Sequence, residues 1–357
     1  MAGSFAAWAA ARLAGADRLR LTQAWAVPVL SFTPQAAAGA WASALLLRSK
    51  GSKGPAAVAA MAGAAMTAAV IPRATRFPQP GGGGPVLRLL TANLLVGRGS
   101  ADALAELAAR KNADVVFVQE LTDGAVTRLE RAGLSEKFPH VLRPATESGR
   151  LGSAIYARLP LLAQAPGAGA CASGQSAPVR YAAASAVRCT ARLALPSGQF
   201  VRLACVHSRP PKPPWSPEAT ARWRDQLSAL PPPDEDPVIL AGDFNATLDH
   251  AAFRRQLDLG YVDAASQVGN GLEPTWGPGP NWRPALLAID HILVSRQCAV
   301  LTTSTHVLPG SDHRAVYAEI RLPAQIQSAY RGQDSMVSTT SGGPCPSGVT
   351  ERVNRPR

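Results

Sequence analysis

Between residues 85 and 324, short apolar runs alternate with amphipathic segments, and this alternation constrains the fold more than any other feature. The run "VLRLLTANLL" has a strand pattern, and "SADALAELAARKN" has apolar residues at helical spacing behind Ser100 as a capping residue. "ADVVFVQEL" again has a strand pattern, so the segment opens as a β-α-β unit. Further strand and helix patterns follow up to residue 324, which predicts one α/β domain.

Polar side chains stand where these apolar runs meet loops. Asp243 and Asn245 follow the run "VILAG", and taken alone they are equally well explained by a turn, because Asp and Asn bond their own backbone. The same arrangement recurs at six separate elements, which is what a site on a rigid scaffold requires. The polar groups are Asn93, Glu120, His207, Asp243 with Asn245, Asp290, and Asp312 with His313.

The types of these side chains select a chemistry. Carboxylate and carboxamide oxygens suit Mg²⁺ or Mn²⁺ better than zinc, and the five cysteines include no CxxC pair. Histidines add proton transfer and charge stabilisation near neutral pH. The set therefore predicts a phosphoryl-transfer site in which a metal ion assists and a positioned base readies water for attack.

Six motifs occur in a fixed order along the chain: "TANL", "VQEL", "VHSRPP", "GDFNAT", "IDHILV" and "GSDHRAV". In this order they resemble the endonuclease/exonuclease/phosphatase superfamily, over roughly residues 85–323. The resemblance implies an α/β fold, a four-layer α/β sandwich of two packed β-sheets flanked by helices. It also implies an active site at one end of the sandwich.

The resemblance implies a role for each polar residue. Glu120 would be the principal metal ligand, with Asn93 beside it and Asp312 as a further ligand, and the cofactor would be Mg²⁺ or Mn²⁺. Asp243 would orient or deprotonate the attacking water.

The remaining roles concern the transition state. Asn245 would hold the attacking water or bond the phosphoryl oxygens. His207 and His313 would stabilise the pentavalent transition state, and Asp290 would orient His313.

Two uncharged runs near the N-terminus, 24–47 and 54–72, are each close to the roughly 20 residues that a membrane helix needs. They are candidate spans of an N-terminal transmembrane helical region, and the alternative is a pair of buried helices in a soluble protein. We divide the chain into a membrane-anchor region with a flexible Gly/Pro-rich linker (1–84), a catalytic domain (85–324) and a disordered tail (325–357). The anchor contains "RLAGADR" followed by "VLSFTPQAAAGAWASALLLR". These segments resemble the membrane region of actinobacterial membrane-anchored members of the superfamily, the teicoplanin-resistance-like subgroup. In those proteins a further span comes first, for which residues 1–10 are too short.

The net charge of +12 lies mostly outside the catalytic domain. Residues 1–84 carry eight basic residues and one Asp, and residues 325–357 carry four basic against two acidic residues, which leaves +3 for residues 85–324. A nucleic-acid partner is therefore possible but not favoured. The chain also has no clear match to the catalytic tyrosine motif of the DNA-repair branch, which weakens the case for DNA further.

The basic residues near the candidate spans leave the orientation open. Three lie between the spans (Arg48, Lys50, Lys53), and five lie on the outer flanks (Arg12, Arg18, Arg20, Arg73, Arg76). This count alone slightly favours a cytoplasmic domain. The resemblance implies instead a protein of the cell membrane with an extracellular catalytic domain, and we follow the resemblance.

We therefore expect a membrane-tethered, Mg²⁺-dependent phosphoesterase that hydrolyses a phosphate ester or pyrophosphate, and the subgroup points to a lipid-linked substrate. The first alternative is a Mg²⁺-dependent nuclease acting on DNA. The second is a non-catalytic binding module, which would be expected to lack at least one of Glu120, His207, Asp243 and His313, and none of these is missing. The sequence leaves the oligomeric state open.

Overall fold

Two six-stranded β-sheets, formed by the apolar runs, pack face to face. Strands are numbered in chain order. The first sheet has the order β11-β12-β1-β2-β4-β3 and consists of β1 (Val86–Asn93), β2 (Val115–Leu121), β3 (His140–Leu142), β4 (Gly152–Ala157), β11 (Ala299–Val307) and β12 (Arg314–Arg321). The second has the order β5-β6-β7-β8-β10-β9 and consists of β5 (Leu161–Ala163), β6 (Val187–Ala194), β7 (Phe200–His207), β8 (Val238–Asp243), β9 (Tyr261–Asp263) and β10 (Asp290–Ser295).

The structure is a computed structural model that describes residues 1–324 except for 20, 82, 145–151, 164–184, 212–215 and 280–283. Residues Met1–Ala324 form one compact unit. The predicted disordered tail, 325–357, lies outside the described residues.

Each sheet has a parallel pair of strands at its centre, β1 with β2 and β7 with β8, and the other pairings are antiparallel. A core between the sheets is built from side chains of both inner faces, such as Leu89, Phe117, Leu203, Ile239 and Ile292, all nearly or fully buried. This packing confirms the predicted pair of sheets.

Helices cover the outer face of each sheet. On the first sheet lie α5 (Ala101–Arg110), α6 (Asp123–Arg131) and α7 (Leu134–Lys137), and on the second lie α8 (Pro217–Ser228) and α9 (Ala251–Asp258). A short α10 (Ala264–Gln267) follows β9. Ser100 caps α5 as predicted, because its Oγ accepts a hydrogen bond of 3.2 Å from the Ala103 N–H. The result is four layers: helices, sheet, sheet and helices.

The N-terminal region is helical but differs from the prediction. It contains α1 (Ala2–Ala14), α2 (Gln23–Leu30), α3 (Thr33–Ser49) and α4 (Lys53–Val70), with 3₁₀ turns at Ala16–Arg18 and Ile71–Ala74. The first candidate span, 24–47, is therefore two helices, because the helical conformation is interrupted between Leu30 and Thr33. Pro28 lies inside α2, and Pro34 lies in the first turn of α3, where its fixed φ favours a helix start.

The second candidate span, 54–72, lies within one continuous helical stretch, Lys53–Ala74. In the described part of the chain, this stretch is the one helix long and apolar enough to cross a membrane. Small residues let α1, α3 and α4 pack closely, with Ala9, Ala40 and Ala62 buried between them beside Met66.

The segment after α4 packs against the sandwich, whereas its composition predicts a flexible linker. The Phe77 N–H donates to Gln267 O at 3.1 Å, and Arg76 forms a β-bridge with Val268. Gln79 donates to Val300 O at 2.6 Å. These contacts hold the segment against the sandwich at least as far as Gln79.

Candidate active site

The site forms where the carboxyl ends of the two parallel strand pairs meet. β1 ends at Asn93 and β8 at Asp243, and the Asn93 Nδ2 donates to Asp243 Oδ2 at 3.0 Å, so one hydrogen bond joins the two sheets. His207 ends β7 directly beside Asp243, and Asp290 begins the antiparallel β10 opposite it. Asn93, Asp243 and Asp290 are buried at the edge of the apolar core, and their hydrogen bonds offset the cost of burying their polar atoms.

Asp243 is the centre of the network and is 2% exposed. Its Oδ2 accepts hydrogen bonds of 3.0 Å from the side-chain amides of both Asn93 and Asn245, and its Oδ1 accepts from the Asn245 N–H at 2.8 Å. Burial raises the pKa of Asp243 to about 7, with the charge of His313 opposing the rise and that of Asp290 adding to it. A carboxylate with a pKa near neutrality is suited to accept a proton from water.

Asn245 is held in a left-handed conformation with φ 47°, which Asn tolerates better than most residues. Its side-chain amide donates to Ser208 O at 3.0 Å as well as to Asp243. The residue is therefore fixed by β7 and β8 together.

His313 lies between two carboxylates. Its Nδ1 is 2.9 Å from Asp290 Oδ2, and its Nε2 is 3.9 Å from Asp243 Oδ2. Burial would lower the pKa of His313, but Asp290 first and Asp243 next raise it to about 10. The imidazole is therefore a buried cation that can face negative charge on a phosphoryl group.

Thr275 completes this group, although the sequence did not point to it. Its Oγ donates to Asp290 Oδ2 at 2.6 Å and accepts from the Asp290 N–H at 3.0 Å. Asp290 thus bonds Thr275 on one side and the imidazole of His313 on the other.

Glu120 reaches the site through a distortion of its strand. The pairing of β2 with β4 shifts register between Val118 and Leu121, and Glu120 itself has φ 54°. Its Oε2 accepts from the Val96 N–H at 2.7 Å, while its Oε1 lies 3.6 Å from His207 Nε2. An uncommon backbone conformation at a polar residue is typical of active sites and ligand-binding positions.

Asp312 and Trp276 form the opposite wall. The indole Nε1 of Trp276 donates to Asp312 Oδ2 at 3.0 Å, and Asp312 Oδ1 lies 3.8 Å from His313 Nε2. Trp276 is half-buried beside this carboxylate, and a β-bridge with His313 holds its loop there.

The donor set fits a divalent metal ion. Asp312 Oδ1 is buried and has no hydrogen-bond partner in the described part of the chain, and Glu120 Oε1 has only long contacts. Both are hard oxygens of the kind that Mg²⁺ and Mn²⁺ prefer. Asn93 presents its Nδ2 to Glu120 and Asp243, so as a ligand it would need its carboxamide turned by 180°.

A second group of potential ligands is Asp243, Asp290 and His313, whose ligand atoms lie within 4.8 Å of one another. Asp290 already bonds the Nδ1 of His313, whereas Asp312 Oδ1 has no hydrogen-bond partner in the described part of the chain. Glu120 and Asp312 are therefore the residues with oxygens most open to a metal ion, while Asp243, Asp290 and His313 are bonded to one another or to neighbouring side chains. All eight residues predicted from the sequence belong to this one network.

Two packed mixed sheets, with carboxylates, amides and imidazoles at their shared end, define a class of metal-dependent phosphohydrolases. The profile of the Endonuclease/Exonuclease/phosphatase family matches residues 90–313, and the chain belongs to this family. It is accordingly a metal-dependent hydrolase that acts on phosphate ester bonds. Among curated proteins, none matches the sequence.

Solved structures with the same fold are distant in sequence. An endonuclease/exonuclease/phosphatase from Beutenbergia cavernae DSM 12333 is 18% identical with a TM-score of 0.51, over 67% of this chain and 72% of that one. A humanized D. rerio TDP2 is 18% identical with a TM-score of 0.49, over 66% and 98%. An AP endonuclease from Archaeoglobus fulgidus is 14% identical with a TM-score of 0.46, over 65% and 98%. At such identities the similarity concerns the fold alone.

Proposed function

We propose that the protein is a membrane-tethered, Mg²⁺-dependent phosphoesterase whose substrate is a phosphate ester or pyrophosphate carried by a membrane lipid. The proposed membrane attachment rests on the distribution of exposed apolar side chains along the chain. Of seventeen exposed large apolar side chains in the described residues, eleven lie in the first 77 residues, among them Leu13, Trp41, Leu45 and Met61. Single exposed apolar residues are ordinary, but a concentration on one helical region marks a surface for lipid or protein.

The bundle of α1, α3 and α4 has one end on the catalytic domain. Arg12 at the end of α1 and Arg73 after α4 both bond Asp249, and Gln35 at the start of α3 bonds Leu286 O. The turn between α3 and α4 therefore forms the far end. At about 1.5 Å per residue, the stretch Lys53–Ala74 is about 33 Å long, which matches a hydrocarbon core of about 30 Å.

The same contacts bear on orientation. Arg12 and Arg73 are buried in ion pairs, so they are parts of the folded domain rather than free flanking charges. Removing them from the count cancels the excess of basic residues on the domain side, while Arg48, Lys50 and Lys53 remain at the far turn. With three basic residues on each side, the count no longer favours a cytoplasmic domain and is compatible with the external orientation that we propose.

In the reaction, Asp243 would take the proton of the attacking water and Asn245 would orient that water or a phosphoryl oxygen. His207 and the His313 imidazolium would face the negative charge that develops on the phosphoryl group, with Asp290 holding His313 in place. Mg²⁺ held by Glu120 and Asp312 would supply neutralisation of phosphate oxygens.

The membrane part is tested with the full-length chain in its membrane. We expect it to fractionate with membranes, and protease added to intact spheroplasts to digest the catalytic domain. Protection of the domain until the membrane is permeabilised would refute the external orientation. Recovery of the chain in the soluble fraction would refute the tether.

The substrate is tested with full-length protein in detergent and Mg²⁺. The panel is an undecaprenyl-type pyrophosphate, a phosphoinositide, sphingomyelin and plasmid DNA, with Asp243→Asn as the inactive control for contaminating hydrolases. We expect turnover of a lipid phosphate to exceed that of DNA. Faster degradation of DNA, absent in Asp243→Asn, would instead identify a nuclease.

A further inference from the structure

The loop that follows Asp243 is held by the N-terminal helices at a buried ionic cluster. Asp249 is fully buried, and its Oδ1 accepts from Arg12 Nε at 2.7 Å and from the Arg73 guanidinium at 2.6 Å. Its Oδ2 accepts a second bond from Arg73, at 2.7 Å, so that pair is bidentate. His250, the next residue, occupies the N-cap position of α9, but its side chain makes no capping bond to that helix.

Two more contacts bring the N-terminal region to the same loop. Asp17 Oδ2 accepts from the Ala251 N–H at 2.6 Å, so the cap of α9 is supplied from the N-terminal region. His250 Nε2 donates to Val27 O at 2.8 Å, while its Nδ1 accepts from the Thr247 N–H at 2.9 Å.

The loop thus connects this cluster to the site within a few residues. Asn245 is four positions before Asp249, and Ala246 between them is tied to the second sheet by a 2.9 Å bond from His291 Nε2. Asn245 is in a left-handed conformation, which Asn tolerates better than most residues, and its side chain is held by hydrogen bonds to Ser208 O and Asp243 Oδ2. Hydrogen bonds hold the loop 245–251 from two sides. On the sheet side they involve His291 and Ser208. On the other side they involve the N-terminal residues Arg12, Asp17, Val27 and Arg73.

We propose that Asp249, clamped by Arg12 and Arg73, is a positioning residue that holds Asn245 in its reactive orientation, so that the N-terminal helices are part of the catalytic apparatus and not only a tether. The inference rests on the role proposed for Asn245. It is independent of the membrane and of the identity of the substrate.

The test is a double-mutant cycle between Asp249→Asn and Asn245→Ala, in the full-length chain in detergent. The probe is bis-p-nitrophenyl phosphate with saturating Mg²⁺ or Mn²⁺. We expect Asp249→Asn alone to lower kcat by about 10- to 100-fold, the range for a small misplacement of a reacting group, with little change in KM. In the Asn245→Ala background the same substitution should have almost no further effect, because the group it positions is gone.

Conservative and remote variants separate positioning from stability. Arg73→Lys keeps the charge but loses the bidentate geometry, and we expect an intermediate kcat. Leu104→Ala removes a fully buried side chain of α5, on the other sheet, and should lower the melting temperature without changing kcat at a temperature where the protein is folded. Equal losses from Asp249→Asn in both backgrounds would overturn the proposal.

Hydrogen exchange does not depend on turnover, so it tests the positioning role of Asp249 separately from the proposed lipid-phosphate substrate. In hydrogen exchange, the amides of residues 245–251 should exchange faster in Asp249→Asn than in the wild type, while those of β1 and β2 should not change. Unchanged exchange in the loop would refute the positioning role whatever the enzyme hydrolyses. A loosened loop in an enzyme inactive on lipid phosphates would leave this inference standing and reject the proposed substrate.

Discussion

Gly242→Ala tests whether the close contact between β7 and β8 holds the site together. Gly242 lies in β8 opposite Val206, with φ 148°, and an added Cβ would lie 1.9 Å from Val206 O. Ordinary contacts begin at 3.4 Å, so the strands would have to separate by about 1.5 Å. His207 and Asp243 are the next pair along the same two strands.

The expected effect combines two terms. Overpacking typically destabilises by about 1 to 3 kcal/mol, and an unfavourable φ adds about 1 to 3 kcal/mol, for a sum of about 2 to 6 kcal/mol. At about 2 to 4 °C per kcal/mol, the melting temperature should fall by about 4 °C or more. Displacing His207 from Asp243 by about 1 Å should also lower kcat about 100-fold in the molecules that remain folded.

Gly198→Ala is the matched control. Gly198 lies in the turn between β6 and β7 with φ 82°, and an added Cβ there would meet nothing within 4 Å. It has the unfavourable φ without the clash, so we expect the free energy of unfolding to fall by only about 1 to 3 kcal/mol and kcat to stay unchanged. Thermal unfolding and bis-p-nitrophenyl phosphate turnover are measured for both. If the two variants have the same melting temperature and the same kcat, the contact between β7 and β8 does not set the geometry of the site.

Three further predictions follow from the site. Asp243→Asn and His313→Ala should each lower kcat by about 10²- to 10⁴-fold with an unchanged circular dichroism spectrum, and a loss below about threefold would reduce either to a structural role. EDTA should abolish hydrolysis and Mg²⁺ or Mn²⁺ restore it, because the unpartnered oxygens of the site are hard ligands, and full turnover in chelator would reject the metal site. Burial favours a higher pKa for Asp249, but Arg73 and Arg12 hold its pKa below 3.8. Because the folded-state pKa is the lower one, the ion pair stabilises above pH ~4 and is lost as the pH falls further, so the difference in unfolding free energy between wild type and Asp249→Asn should shrink in acid.

Part of the fold was not predictable from sequence for local reasons. The strands with long apolar runs, such as β1, β2 and β8, are visible because both of their faces are buried. By contrast, β11 has the mixed pattern "AVLTTSTHV" and lies at the edge of its sheet, where one side is solvated, so its sequence resembles a loop. The first candidate span is divided near its prolines. Pro28 lies within α2 and Pro34 begins α3, and the sequence alone does not show which proline starts a helix and which is tolerated inside one.

The sequence by itself determined which polar residues stand at the ends of the apolar strands, and the structure brings them into one network. Apolar patterns are local, so the point where a strand ends on Asn93, His207 or Asp243 can be read from a few neighbouring residues, and the ends of parallel strands must share one edge. Only the tertiary structure decided which groups support them. Asp249 bonds Arg12 and Arg73, which lie 237 and 176 residues away, and no local pattern distinguishes these from surface charges. Their burial, and the loop they hold beside Asn245, arise because the N-terminal helices and the sandwich pack as one unit.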